Sequence, residues 1–125
     1  MARVLVVDDS VFMRMTLSAM VKDGGHEVSL AVNGRDGLEK VKLEQPDCLV
    51  TDLNMPEMEG QDLIAAVQTE GIMIPIIVNT ADVQESTRER CLELGATAFF
   101  NKPLKPESVL AGINQALAGT VKVPS

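Results

Sequence analysis

Five short apolar runs, each followed by a longer stretch of helical periodicity, constrain this chain more than any other feature. They are Arg3–Val7, Glu27–Ala31, Asp47–Thr51, Ile74–Thr80 and Thr97–Asn101. Regular alternation of short strands with helices is the pattern of a parallel sheet covered on both faces. Val4-Leu5-Val6-Val7 and Ile76-Ile77-Val78 are apolar at every position, as strands buried on both faces require. Val28-Ser29-Leu30 alternates instead, as an edge strand does.

The intervening segments supply the helices. Met13, Leu17, Met20 and Val21 recur on one helical face, with Ser10 as N-cap and Gly24-Gly25 as the stop. Leu38 and Val41 follow Gly34, Leu63, Ile64 and Val67 follow Gly60, and Val109, Leu110, Ile113 and Leu117 follow Pro106 at a first-turn position. The fourth helix, between Ala81 and Gly95, is polar from Gln84 to Arg90, so only Val83, Cys91, Leu92 and Leu94 can anchor it. The pattern predicts an α/β fold: a (βα)5 doubly wound parallel five-stranded sheet in a three-layer sandwich, made with right-handed crossovers.

Composition narrows the function classes. The 125 residues, 46% hydrophobic and 23% charged, suit one globular domain with its own core. No apolar run approaches the ~18 residues of a membrane helix, and no secretory signal opens the sequence, so no membrane insertion and a cytoplasmic location are expected. Eleven basic against 18 acidic residues leave a net charge of −7, which repels nucleic acid. Cys48 and Cys91 lack metal-binding spacing and read as reduced core residues, and the only histidine, His26, reads as part of a surface turn.

In open α/β sheets, ligand sites form at the carboxyl ends of the strands. Here the runs end in Asp8-Asp9, Asp52, Thr80 and Lys102-Pro103. Converging carboxylates repel one another unless a cation joins them, and all-oxygen ligation open to water suits Mg²⁺. Lys102 and Thr80 supply an ammonium and a hydroxyl for a phosphoryl group, and a carboxylate is a sufficient nucleophile for an aspartyl phosphate.

Val7-Asp8-Asp9-Ser10, Asp52-x-x-Met55-Pro56-x-Met58-x-Gly60, Asn79-Thr80-Ala81 and Asn101-Lys102-Pro103 together resemble the motifs of response-regulator receiver domains, over nearly the whole chain. The stretch from Asp8 to Arg14 is similar to the stand-alone CheY-like chemotaxis subgroup. CheY is itself a standard example of strand order 2-1-3-4-5, so that order is implied by the resemblance. The resemblance further implies two-component phosphorelay signalling in which a histidine kinase phosphorylates Asp52. Mg²⁺ would be bound by Asp9, Asp52 and the backbone carbonyl of Asn54, with Asp8 acting mostly through water. Lys102 would contact the phosphoryl group, Thr80 and Phe99 would form a switch, and Asn54 and Asp82 would tune hydrolysis.

The implied output is a remodelled face of helix four, strand five and helix five that is read by a downstream target protein, with a phosphatase as a further partner and a monomer as the working unit. Such a protein assists only its own phosphorylation and dephosphorylation and is not otherwise an enzyme. Residues 1–119 would form the receiver domain and 120–125 a short tail, with no output domain. Phe99 and Leu104 stand where motor-binding relatives usually carry tyrosine and phenylalanine, which speaks against a flagellar motor as the target. The alternatives are a phosphorelay intermediate or phosphate sink without conformational output, and a Mg²⁺-dependent phosphohydrolase, for which the chain has no room for a substrate cap. A flavin carrier is disfavoured because there is no tryptophan or tyrosine to stack on the ring.

Overall fold

A computed structural model describes residues 2–55, 58–80, 84–101 and 104–118. Five strands and five helices alternate: β1 (Arg3–Val7), α1 (Val11–Asp23), β2 (Glu27–Ala31), α2 (Gly34–Glu44), β3 (Cys48–Thr51), α3 (Gly60–Thr69), β4 (Ile76–Thr80), α4 (Glu85–Leu94), β5 (Ala98–Asn101) and α5 (Pro106–Ala118). All neighbouring strands pair in parallel, in the order β2-β1-β3-β4-β5, as expected.

Alternation along the central strands divides the core into two layers. Val4, Val6, Cys48, Val50, Ile77 and Phe100 face α1 and α5, where they meet Leu17, Val21, Val109 and Ile113. Leu5, Val7, Leu49, Ile76 and Val78 face α2, α3 and α4, where they meet Val41, Leu63, Ile64, Val67 and Cys91. Burying each such aliphatic side chain is worth ~1.5–3 kcal/mol, which fixes the register of every strand.

Local chemistry starts and stops the helices where the sequence places the signals. Ser10 Oγ accepts from the Met13 N–H at 3.2 Å, Asn33 Oδ1 accepts from the Asp36 N–H at 2.8 Å, and Pro106 opens α5. Gly95, at φ +120°, ends α4 in a conformation open to glycine alone.

Three strands begin one or two residues later than the apolar runs suggest. Asp47 precedes β3 as a bracket: its N–H donates to the Arg3 carbonyl at 2.8 Å and its Oδ2 accepts from the Arg3 N–H at 2.9 Å. Pro75 has no N–H to give β4, although its carbonyl accepts from Leu49 at 3.0 Å. Thr97 pairs with Ile76 through backbone N–H and side-chain Oγ1, at 2.7 and 3.1 Å, just before β5 begins.

Cys48 and Cys91 are not joined in a disulfide and both lie fully buried in the core, as expected. His26 differs from its surface reading. Half-buried, it accepts from the Ala2 N–H through Nδ1 at 3.3 Å, and its Nε2 lies 3.0 Å from Asn114 Oδ1 on α5. The contact ties the start of the sheet to the last helix. No described helix is long and apolar enough to cross a membrane.

Candidate functional site

Three carboxylates meet at the carboxyl end of the sheet, and the backbone explains why. The Asp8 N–H donates to the Ala31 carbonyl at 3.2 Å and the Asp52 N–H to the Val7 carbonyl at 3.1 Å. Both ladders thus run one residue past β1 and β3 before the chain turns. Oxygens of Asp8, Asp9 and Asp52 all lie within 4.8 Å of one another, with Asp8 buried, Asp52 half-buried and Asp9 exposed. The cluster is graded from dry to wet, which leaves one side open to an incoming ligand.

Asp8 and Asp52 are held by their surroundings. Asp8 Oδ1 accepts from the Ser10 N–H at 2.9 Å, and the Arg14 guanidinium donates to the Asp8 carbonyl at 2.6 Å, so α1 is stitched to the end of β1. Asp52 Oδ1 accepts from the Leu53 N–H at 2.7 Å. Behind Asp52 the chain has no slack: a Cβ on Gly60, the first residue of α3, would lie 2.1 Å from the Asp52 carbonyl oxygen. Gly34, the first residue of α2, presses on the same loop, where a Cβ would lie 2.1 Å from the Met58 carbonyl. Two helix starts without side chains therefore grip the loop from Asp52 to Gly60, while Leu53 and Met55 anchor it in the core.

Asn54, exposed, follows Asp52 by two residues. Thr80 ends β4 opposite Asn101 of β5. Phe99 pairs with Val78, is half-buried, and carries the Arg88 guanidinium of α4 over its ring at 4.5 Å from the centroid. Lys102 and Asp82, the other expected site residues, lie outside the described residues.

Three carboxylate groups so close together constitute a hard, oxygen-only donor set that fits a divalent cation and offers no soft ligand. The role of Gly60 went unrecognised in the sequence beyond its place at a helix start, since only the fold brings the Asp52 carbonyl against it. Asn79 enters the sequence reading only within the motif Asn79-Thr80-Ala81, with no role of its own, although it is a polar residue at the end of the apolar run Ile76-Ile77-Val78.

The fold and the acidic strand ends define a doubly wound domain with a carboxylate site at its carboxyl edge. The sequence profile of the response regulator receiver domain matches residues 4–114. This chain belongs to that family. It is 39% identical to the chemotaxis protein CheY of Thermotoga maritima, over 90% of this chain and 95% of that protein. It is 36% identical to protein PilH of Pseudomonas aeruginosa, over 95% of this chain and 100% of that protein. Among solved structures, chemotaxis protein CheY4 of Vibrio cholerae superposes with a TM-score of 0.88 at 33% identity, covering 93% of this chain and 98% of that one. The likeness to stand-alone CheY-type proteins holds along nearly the full length of each.

Proposed function

We propose that this chain is a Mg²⁺-dependent phosphoacceptor switch of a two-component pathway, with Asp52 as the acceptor. The observation that carries the reading is the convergence of Asp8, Asp9 and Asp52 within 4.8 Å at the carboxyl edge of a receiver fold. A histidine kinase is the phosphodonor: an Asp52 oxygen forms the new bond to phosphorus as the P–N bond of a phosphohistidine breaks, and the freed imidazole nitrogen takes up a proton. Hydrolysis later returns the carboxylate and inorganic phosphate.

Asp9, Asp52 and the Asn54 carbonyl would hold Mg²⁺, with Asp8 reaching it through water. Bound there, the cation neutralises the crowded carboxylates and the charge on the phosphoryl oxygens. Asp8 and Asp52 are fixed by the Ser10 and Leu53 N–H groups, so their geometry is set before any ligand arrives. Preorganisation of this kind lowers the cost of binding. Lys102 contacts the phosphoryl group in this reading, and Asn54 and Asp82 tune how fast water attacks it. The protein assists only its own phosphorylation and dephosphorylation.

Thr80 and Phe99 convert phosphorylation into a changed face of α4, β5 and α5. Two features of that face support the assignment. α4 buries only Cys91 among its described residues, and an open cleft of about 520 Å³ runs between β5 and α5, lined by Phe99, Phe100, Leu104, Ser108, Gly112 and Gln115. The downstream target protein docks there. The chemotaxis proteins among its relatives favour a chemosensory pathway, with this chain acting as a cytoplasmic monomer whose receiver unit spans residues 1–119 and whose signal is ended with the help of a phosphatase.

Intact mass after incubation with Mg²⁺ and a small-molecule phosphodonor tests the reading. A single base-labile phosphoryl adduct is expected, absent from Asp52→Asn and from a sample with EDTA. An adduct that survives in Asp52→Asn would move the acceptor elsewhere, and no adduct under any condition would end the proposal.

A further inference from the structure

Asn79 is the one polar residue in β4 before its final threonine, and its side chain is 0% exposed. Neither its Nδ2 nor its Oδ1 finds a hydrogen-bond partner among the described residues. A buried carboxamide is both donor and acceptor, and leaving both ends unmet weakens the fold that contains it. Such a group calls for an explanation by what it meets in another state.

Its position supplies one. Val7, Thr51 and Val78 form a row across β1, β3 and β4, and Asn79 pairs with Phe100 in the row that follows. That next row also holds Asp8 and Asp52, since both continue their strand ladders by one residue. Val6, Val50 and Ile77, two residues earlier on the same three strands, all face the layer of α1 and α5. Alternation therefore turns Asp8, Asp52 and Asn79 to one side of the sheet, with Asn79 a single strand spacing, about 4.8 Å, from Asp52.

We propose that Asn79 is a binding residue of the phosphoacceptor site, whose unmet carboxamide takes its hydrogen bonds from the oxygens of a phosphoryl group on Asp52 and from the water that accompanies a bound Mg²⁺. The inference rests on the receiver reading of the site. The ligand matches the amide chemically: phosphoryl oxygens accept, a Mg²⁺-bound water donates, and Mg²⁺ retains several such waters when it binds. Because the amide is unsatisfied without the ligand and satisfied with it, Asn79 shifts the balance toward the occupied state and costs the empty protein stability.

The test uses the full chain, Asn79→Val, which keeps a strand-compatible side chain of similar bulk, and Asn79→Ala in case valine packs badly. Urea unfolding of the Mg²⁺-free proteins is read beside titrations with Mg²⁺ alone and with Mg²⁺ plus beryllium fluoride, a stable stand-in for the phosphoryl group. The Mg²⁺-free Asn79→Val protein should unfold at higher urea than the parent, while its affinity for the two ligands together falls about tenfold. Unchanged affinity in both variants would overturn the inference, and so would a lower urea midpoint with unchanged affinity, which would make Asn79 a packing residue. A parent protein that shows no Mg²⁺-dependent response to beryllium fluoride, or one that persists in Asp52→Asn, would remove the receiver reading itself and this inference with it.

Discussion

α3 and α4 are both ten residues long and lie against the same face of the sheet, yet they are held very differently. α3 buries Gly60, Leu63, Ile64 and Val67, and its first residue is pressed against the backbone of Asp52. α4 buries Cys91 alone among its described residues and adds the contact of Arg88 with Phe99. Hydrophobic burial scales with area, so α3, with three fully buried aliphatic side chains, is bound to the sheet more tightly than α4, which adds only the partly buried Leu94 to Cys91. The site is thus fixed where the phosphoryl group would be received and loosely held where its arrival would be read out.

The largest expected effect breaks the comparison from the α3 side. Leu63→Ala leaves a cavity in the core and should cost ~2–5 kcal/mol in urea unfolding, whereas Leu92→Ala on α4, 49% exposed in the parent, should stay within ~0.5 kcal/mol. Equal costs would mean that α4 is anchored as firmly as α3.

The two cysteines sharpen the same point, because both are fully buried and one lies in each kind of region. Under native conditions a small alkylating reagent should reach Cys91, by local opening of α4, at least ~100-fold faster than Cys48, which awaits global unfolding. Peptide mass mapping over time gives both rates. Burial, aided by the negative charge of Asp47, also pushes the Cys48 thiol up from 9.0 to about 12. Keeping that thiol protonated favours the fold below pH 9, and this contribution should be lost as pH rises from about 9 toward about 12. A urea midpoint that stays flat across that range would contradict the burial of Cys48.

Gly60→Ala comes next in size. A Cβ 2.1 Å from the Asp52 carbonyl has to displace the loop that follows Asp52, so a loss of ~1–3 kcal/mol is expected, together with, on the proposed role of Asp52, slower phosphorylation from a small-molecule donor. Destabilisation without any change in that rate would separate the α3 start from the site. The smallest effect is that of Arg88→Met, which removes the cation over Phe99 for ~0.5–1 kcal/mol and should raise amide exchange in α4 while leaving α3 unchanged.

β1 was legible because a strand buried on both sides reads as a continuous apolar run, and β2 because its alternation marks an edge, and both match their expected limits residue for residue. The errors at Asp47, Pro75 and Thr97 share one cause: each brackets a strand through contacts made across the sheet, which local hydrophobicity does not record. The carboxylates were legible because each follows directly on an apolar run. His26 was not, since its contact with Asn114 spans 88 positions of sequence. Asn79 was quoted in a motif without a role of its own for a related reason: Asp8 and Asp52 sit on other strands, and only the register sets them in one row with it.

Hydrogen exchange resolved by peptide, with and without beryllium fluoride and Mg²⁺, tests most directly the claim that this site is rigid at one end and movable at the other. Protection in peptides spanning α4 and β5 should change on adding the ligand, while α3 stays as it was. A change confined to α3, or spread evenly over both helices, would contradict the account.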